Sequence, residues 1–135
     1  MAAHTPHVIT FRTAKFDMKK ETPNPINPIA GESVLLWLRD QLKAGGYEAD
    51  APATEDWGWY TGVTGAGATY LVGASAEADE PGPEIDWTLQ IHRRRSLKDR
   101  LTGANKMTPG DPLSALIERL LRGEAEITAI EADRS

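Results

Sequence analysis

A chain of 135 residues, 40% hydrophobic and 26% charged, is long enough to bury about two thirds of its unfolded surface as a single domain over residues 1–135, and too apolar to remain disordered. Its net charge of -5 argues against general affinity for nucleic acid or anionic membranes. The absence of cysteine excludes a disulfide scaffold, thiol catalysis and cysteine-ligated metal centres, and fits a reducing, cytoplasmic compartment.

The N-terminus, Met1-Ala2-Ala3-His4, lacks the basic and apolar regions of a signal peptide, and the longest strictly apolar run, residues 34–38, is too short to span a membrane. Residues 7–16 read as a first strand whose apolar set moves from Ile9 and Phe11 to Ala14 and Phe16, which implies a bulge. A loop with Pro23 and Pro25 leads to Asn27-Pro28, which has the form of a helix N-cap followed by proline. A helix to about Lys43 carries Val34, Leu35, Leu38 and Leu42 on one stripe, and Gly45-Gly46 ends it.

Residues 57–63 and 68–74 flank Thr64-Gly65-Ala66-Gly67 and predict a hairpin. The acidic segment 77–84, with Pro81-Gly82-Pro83, reads as a loop. Ile85, Trp87, Leu89 and Ile91 then alternate strictly with Asp86, Thr88, Gln90 and His92, so this strand has one buried and one solvated face. Ser96 and Asp99 form a capping arrangement for a helical turn over residues 97–101, ended by Gly103. Thr108-Pro109 is the expected cap of a second main helix with Leu113, Leu116, Ile117, Leu120 and Leu121 as its stripe, and Gly123 as its stop. Residues 126–132 form a last strand. The order β-α-β-β-β-α-β predicts an α+β fold, a two-layer sandwich in which two helices cover one face of a mainly antiparallel sheet.

Charge is polarised along the chain. Residues 47–86 hold nine Asp or Glu and no Lys or Arg, whereas residues 93–106 hold six Lys or Arg against one acid, Asp99. The basic run lacks interleaved aromatics for stacking bases and is expected to pair with the acidic stretches rather than bind nucleic acid. Inside the acidic block stands Glu55-Asp56-Trp57-Gly58-Trp59-Tyr60. Strand alternation puts Trp57 and Trp59 on one face and Asp56 and Tyr60 on the other. The two indoles read either as core, each N–H finding a partner, or as an aromatic recognition patch. With the indoles toward the helices, the open face would hold Asp56, Tyr60, Asp86, Thr88, Gln90 and His92, with Gly58 leaving a gap.

Catalytic patterns are weak. His92 beside Asp86 or Asp56 would make a carboxylate-oriented base, yet no serine stands in a nucleophile elbow. His4 and His7 have a permissible spacing for a metal but no third ligand, and Gly62, Gly65 and Gly67 match no phosphate-binding pattern. No cofactor, metal or catalytic residue is expected.

The segments Asn24-Pro25-Ile26-Asn27-Pro28-Ile29, Gly31-Glu32-Ser33-Val34-Leu35-Leu36-Trp37-Leu38 and Glu55-Asp56-Trp57-Gly58-Trp59 resemble small uncharacterised proteobacterial proteins. That resemblance implies a bacterial α+β domain and brings no activity, so it assigns no residue a role. Size and acidity are also similar to those of toxin-immunity proteins, a likeness of class only. The favoured reading is a non-enzymatic protein-binding module, immunity-like or adaptor, that offers Asp56, Tyr60, Asp86, Gln90, His92, Trp57 and Trp59 to a basic protein or to another copy of itself. The alternative is a small-molecule binder or minor enzyme with a shallow pocket near Tyr60, Asp86 and His92.

Overall fold

The computed structural model describes residues 6–27, 29–77 and 83–134, with Glu77 described in its backbone alone. Its elements are β1 (His7–Thr13), β2 (Ile29–Ala30), α1 (Glu32–Ala44), β3 (Glu48–Ala49), β4 (Ala53–Glu55), β5 (Gly58–Gly65), β6 (Ala68–Glu77), β7 (Ile85–Arg93), α2 (Leu97–Thr102), α3 (Pro112–Arg122) and β8 (Ile127–Asp133). One eight-stranded sheet runs β3-β5-β6-β7-β1-β8, with β2 added to β6 and β4 to β5. The ladders are antiparallel. The α+β architecture expected from the sequence is therefore the one that forms, with three short strands beyond the expected order.

The alternation of β7 organises the core. Ile85, Trp87, Leu89 and Ile91 are buried, and register carries their face to Thr13, Phe11, Ile9 and His7 on β1. On the other side it continues to Val72 and Ala74 of β6, then to Thr61 and Trp59 of β5. Val34, Leu35, Leu38 and Leu42 of α1 join Leu113, Ile117 and Leu121 of α3 in one cluster over that face. Leu116 and Leu120 pack at its margin. Phe16 lies beyond the end of β1 yet is buried, edge-on to both Trp37 and Trp87 with centroids 5.6 and 5.8 Å apart. The irregularity expected in the first strand falls instead between Thr10 and Arg12, in the pairing with β8. Residues 78–82 of the expected acidic loop lie outside the described residues.

Both main helices begin later than the sequence implied. Pro28 is outside the described residues, and α1 starts at Glu32 behind Gly31, which offers no side-chain cap. The capping acceptor comes from a distant loop. The Glu21 carboxylate accepts from Gly31 N at 2.9 Å, Ser33 N at 2.9 Å and Ser33 Oγ at 2.5 Å. Similarly, α3 is capped by Asp111 with Pro112 behind it, rather than by Thr108-Pro109. Proline marks a helix start at either place, and what selects Asp111 is a tertiary contact. Its Oδ2 accepts from Leu113 N and Ser114 N, while Oδ1 accepts from the Tyr70 hydroxyl at 2.9 Å and Arg93 Nη1 at 3.1 Å.

Between β5 and β6 the two-residue turn Ala66-Gly67 has φ of 53° and 76°. Two positive φ values are the signature of the hairpin turn that matches strand twist, and alanine is a poor occupant of the first position. Ala66→Asn is expected to stabilise the fold by about 0.5–1 kcal/mol, since asparagine tolerates this region, read as a raised urea midpoint at unchanged slope. Glu21→Ala is expected to destabilise it by about 1–2 kcal/mol, the usual value of a lost helix cap, in the same measurement.

Candidate functional site

The helices leave one face of the sheet uncovered. Across its middle, register aligns Tyr60 of β5, Gly73 of β6, Gln90 of β7, Val8 of β1 and Asp133 of β8. One row over lie Gly62, Leu71 and His92, and on the opposite side Thr88, Thr10 and Glu131. Tyr60, Thr88, Gln90 and His92 are each partly buried by their neighbours, and burial pushes the His92 imidazole below its ordinary pKa.

Two glycines lower the floor of this face, and each is covered from outside the ladder. A Cβ at Gly73 would lie 2.5 Å from Trp57 Cη2, and one at Gly62 would lie 2.8 Å from the Asp50 carboxylate. The Trp57 indole therefore rests on the open face over Gly73, in the row of Tyr60 and Gln90. Trp59 turns the other way and is 3% exposed, in the core, whereas Trp57 is 36% exposed. This corrects the expectation that both indoles share a face. Gly58, between them, has φ 147°, a conformation open to glycine that breaks the period of two. Nor does Gly58 leave a gap, because a Cβ there would meet the Ala74 carbonyl oxygen at 2.5 Å.

The turn that carries Trp57 is held by two asparagines. Asn24 donates from Nδ2 to the carbonyls of Glu55 and Gly58, both at 3.1 Å, while its Oδ1 accepts from Ile26 N and Asn27 N. Asn27 donates to the Asp56 carbonyl at 2.9 Å. Asn27 is thus a latch residue and not the expected helix cap. Asn24, Asn27 and the Glu-Asp-Trp-Gly segment form one unit. No role for Asn24, Asp50 or Gly73 was read from the sequence, although a glycine inside a strand is a recognised sign of close approach.

Other expected groupings do not form. Asp86 shares the face but pairs with Arg12 at 3.0 Å, which also meets Glu84 at 3.5 Å. Six residues along one strand separate Asp86 from His92, about 20 Å, so the two make no catalytic pair. Asp56 lies exposed in the turn. The indole N–H groups of Trp59 and Trp87 find no partner among the described residues, contrary to the expectation for core tryptophans. Arg93 leaves the basic run to enter the ion pair with buried Asp111, its guanidinium 5.6 Å from the Tyr70 ring centroid. Burial and the Asp111 hydrogen bond raise the Tyr70 pKa well above its ordinary value.

A serine and a histidine do meet, but inside the protein. His7 Nδ1 and Ser114 Oγ share a hydrogen bond of 2.8 Å, and both residues are buried, so no substrate reaches them. His4, the other half of the notional metal pair, lies outside the described residues. Burial chiefly lowers the His7 pKa, with Asp111 and Asp133 opposing and Arg134 reinforcing the shift. Folded His7 is thus neutral where the unfolded residue begins to protonate. The stability it supports is complete above the unfolded value, about 6.5, and falls as pH drops through it. His7→Gln is expected to flatten the pH 7 to 5 portion of a stability profile, leaving the slope due to His92, whose pKa burial also lowers.

The open face offers aromatic surface and carboxylates, a combination suited to cations and to flat or extended partners rather than to bond-making. Gly73→Ala is expected to lift Trp57 from the sheet, read as a red shift in fluorescence with little change in circular dichroism.

No family model matches this chain, and no curated protein or solved structure matches it.

Proposed function

We propose that this chain is a protein-binding module of a bacterial cytosol, adaptor or immunity-like, that presents its open sheet face to a basic protein surface. The observation that carries this reading is Trp57, placed on the uncovered face and held there by Asn24 and Asn27 while its neighbour Trp59 fills the core. Tryptophan supplies large contact area at small entropic cost and is a frequent energetic centre of interfaces. Asp56 adjoins it, and the same face carries Asp50 over Gly62 and, farther off, Asp86, Glu131 and Asp133, with Arg12 bound up among Glu84 and Asp86. Such a field speeds the encounter with a cationic surface and rejects an anionic one. No helix among the described residues is long and apolar enough to cross a membrane.

The test is to recover a partner from the native cytosol and measure its association rate at two ionic strengths. Asp50→Lys and Asp56→Lys are expected to slow association about tenfold at low salt, and Asp40→Lys, on the solvent side of α1, to have little effect. Trp57→Ala is expected to speed dissociation about tenfold or more. Rates indifferent to salt and to these substitutions overturn the reading. Binding of a small molecule near Tyr60 and His92, with no macromolecule recovered, replaces it with the shallow-pocket alternative.

A further inference from the structure

The short helix α2 is built with care and buries nothing. Ser96 and Asp99 form a reciprocal capping box at its start, and Gly103 closes it in the left-handed conformation. Arg95 braces it by donating to the carbonyls of Asp99 and Ala104, both at 2.9 Å. Six residues of helix have no stability of their own in water, so these contacts hold an element that adds no side chain to the core. What it displays is Leu97 and Leu101, 73% and 79% exposed. They lie four residues apart on one side of the helix, with Arg94, Lys98 and Arg100 exposed around them.

A second exposed apolar pair has the opposite surroundings. Ile26, 56% exposed, belongs to the asparagine latch, and Trp57 to the turn it grips. Their polar neighbours are Glu55 and Asp56, both exposed. One surface is thus two leucines framed by cations, and the other is an isoleucine and an indole framed by carboxylates. The exposure of all four apolar residues shows that the two surfaces do not cover each other within one copy.

We propose that α2 of one copy docks on the Trp57 surface of a second copy, so that the chain associates head to tail. Leu97 and Leu101 cover Ile26 and Trp57, while Arg94, Lys98 and Arg100 meet Glu55 and Asp56. The contact is heterologous, so a docked pair still has one free surface of each kind, one on each copy, and closed rings or short chains result. This inference rests on the reading of the open face as a protein-binding surface and names a second copy as its partner.

Sedimentation velocity of the full chain over a concentration series tests it. The expected result is a mean mass that rises with concentration and falls back severalfold in association constant between about 0.05 and 0.5 M salt, where screening becomes short-ranged. The double variant Leu97→Gln with Leu101→Gln, and separately Asp56→Lys, should each remain monomeric. These are exposed positions, so circular dichroism should match the parent chain. Mixed in equal amounts, the two variants should form a 1:1 dimer and nothing larger, because one intact surface of each kind remains. A chain that stays monomeric at every concentration overturns the inference, as does association untouched by the α2 variant or a mixture that fails to dimerise. A monomeric chain that still binds a basic protein through Trp57 overturns it while leaving the proposed function standing. A monomeric chain whose α2 binds vesicles rich in anionic lipid overturns it in favour of a membrane contact.

Discussion

The carbonyl of Ala74 is approached from two directions by residues without side chains, and both halves of the molecule are positioned there. A Cβ at Gly31 would collide with the Ala74 carbonyl oxygen, and one at Gly58 would lie 2.5 Å from it. Gly31 lets the entry to α1 close down on β6, which sets how deeply Val34, Leu35 and Leu38 reach into the core. Gly58 lets the start of β5 do the same and takes a φ of 147°, which sends Trp59 inward and leaves Trp57 outside. Close backbone approach at one residue thereby couples helix seating on one face of the sheet to aromatic display on the other.

The carboxylates that cap the two main helices also tie together segments far apart in the chain. Asp111 caps α3 while receiving Tyr70 and Arg93, and Glu21 caps α1 from ten residues away. A buried carboxylate is tolerable because every one of these donors compensates its lost hydration. The same arrangement removes Arg93 from the basic stretch. Arg12 is likewise taken up by Glu84 and Asp86. The charge polarity that survives folding is narrower than that of the chain, concentrated around Trp57 at one extreme and α2 at the other.

An uncovered sheet face need not bind anything, since polar side chains on such a face are ordinary. What distinguishes this one is the placement of an indole there by dedicated hydrogen bonds. The outer edge, by contrast, is blunted. Ala129 in β8 has φ 53°, and the register with β1 slips beside it, an irregularity that discourages another strand from adding on. Association through faces and α2 is therefore better supported than extension of the sheet.

Much of the fold was legible because it depends on local periodicity. The strict alternation from Ile85 to His92, the α1 stripe and the Ser96–Asp99 box each declare themselves within a few residues, and each forms as read. The α+β class follows from them. The starts of α1 and α3 were misplaced because a proline-led cap candidate, Asn27-Pro28 or Thr108-Pro109, stood a few residues ahead of each true start, and the choice fell to Glu21, Asp111 and their distant partners. The candidate surface was only half legible. Tyr60, Gln90 and His92 share the open face as alternation requires, whereas the opposite facing of Trp57 and Trp59 depends on one glycine dihedral set by the Ala74 carbonyl. Asp86 and His92, both polar on one strand face, looked like potential partners until strand geometry separated them. The sequence by itself determined which residues alternate in β7 and recur in the helices, and that Ser96 and Asp99 cap α2; only the tertiary structure decided the caps of α1 and α3 and which backbone could approach which, because both depend on atoms far apart in the chain.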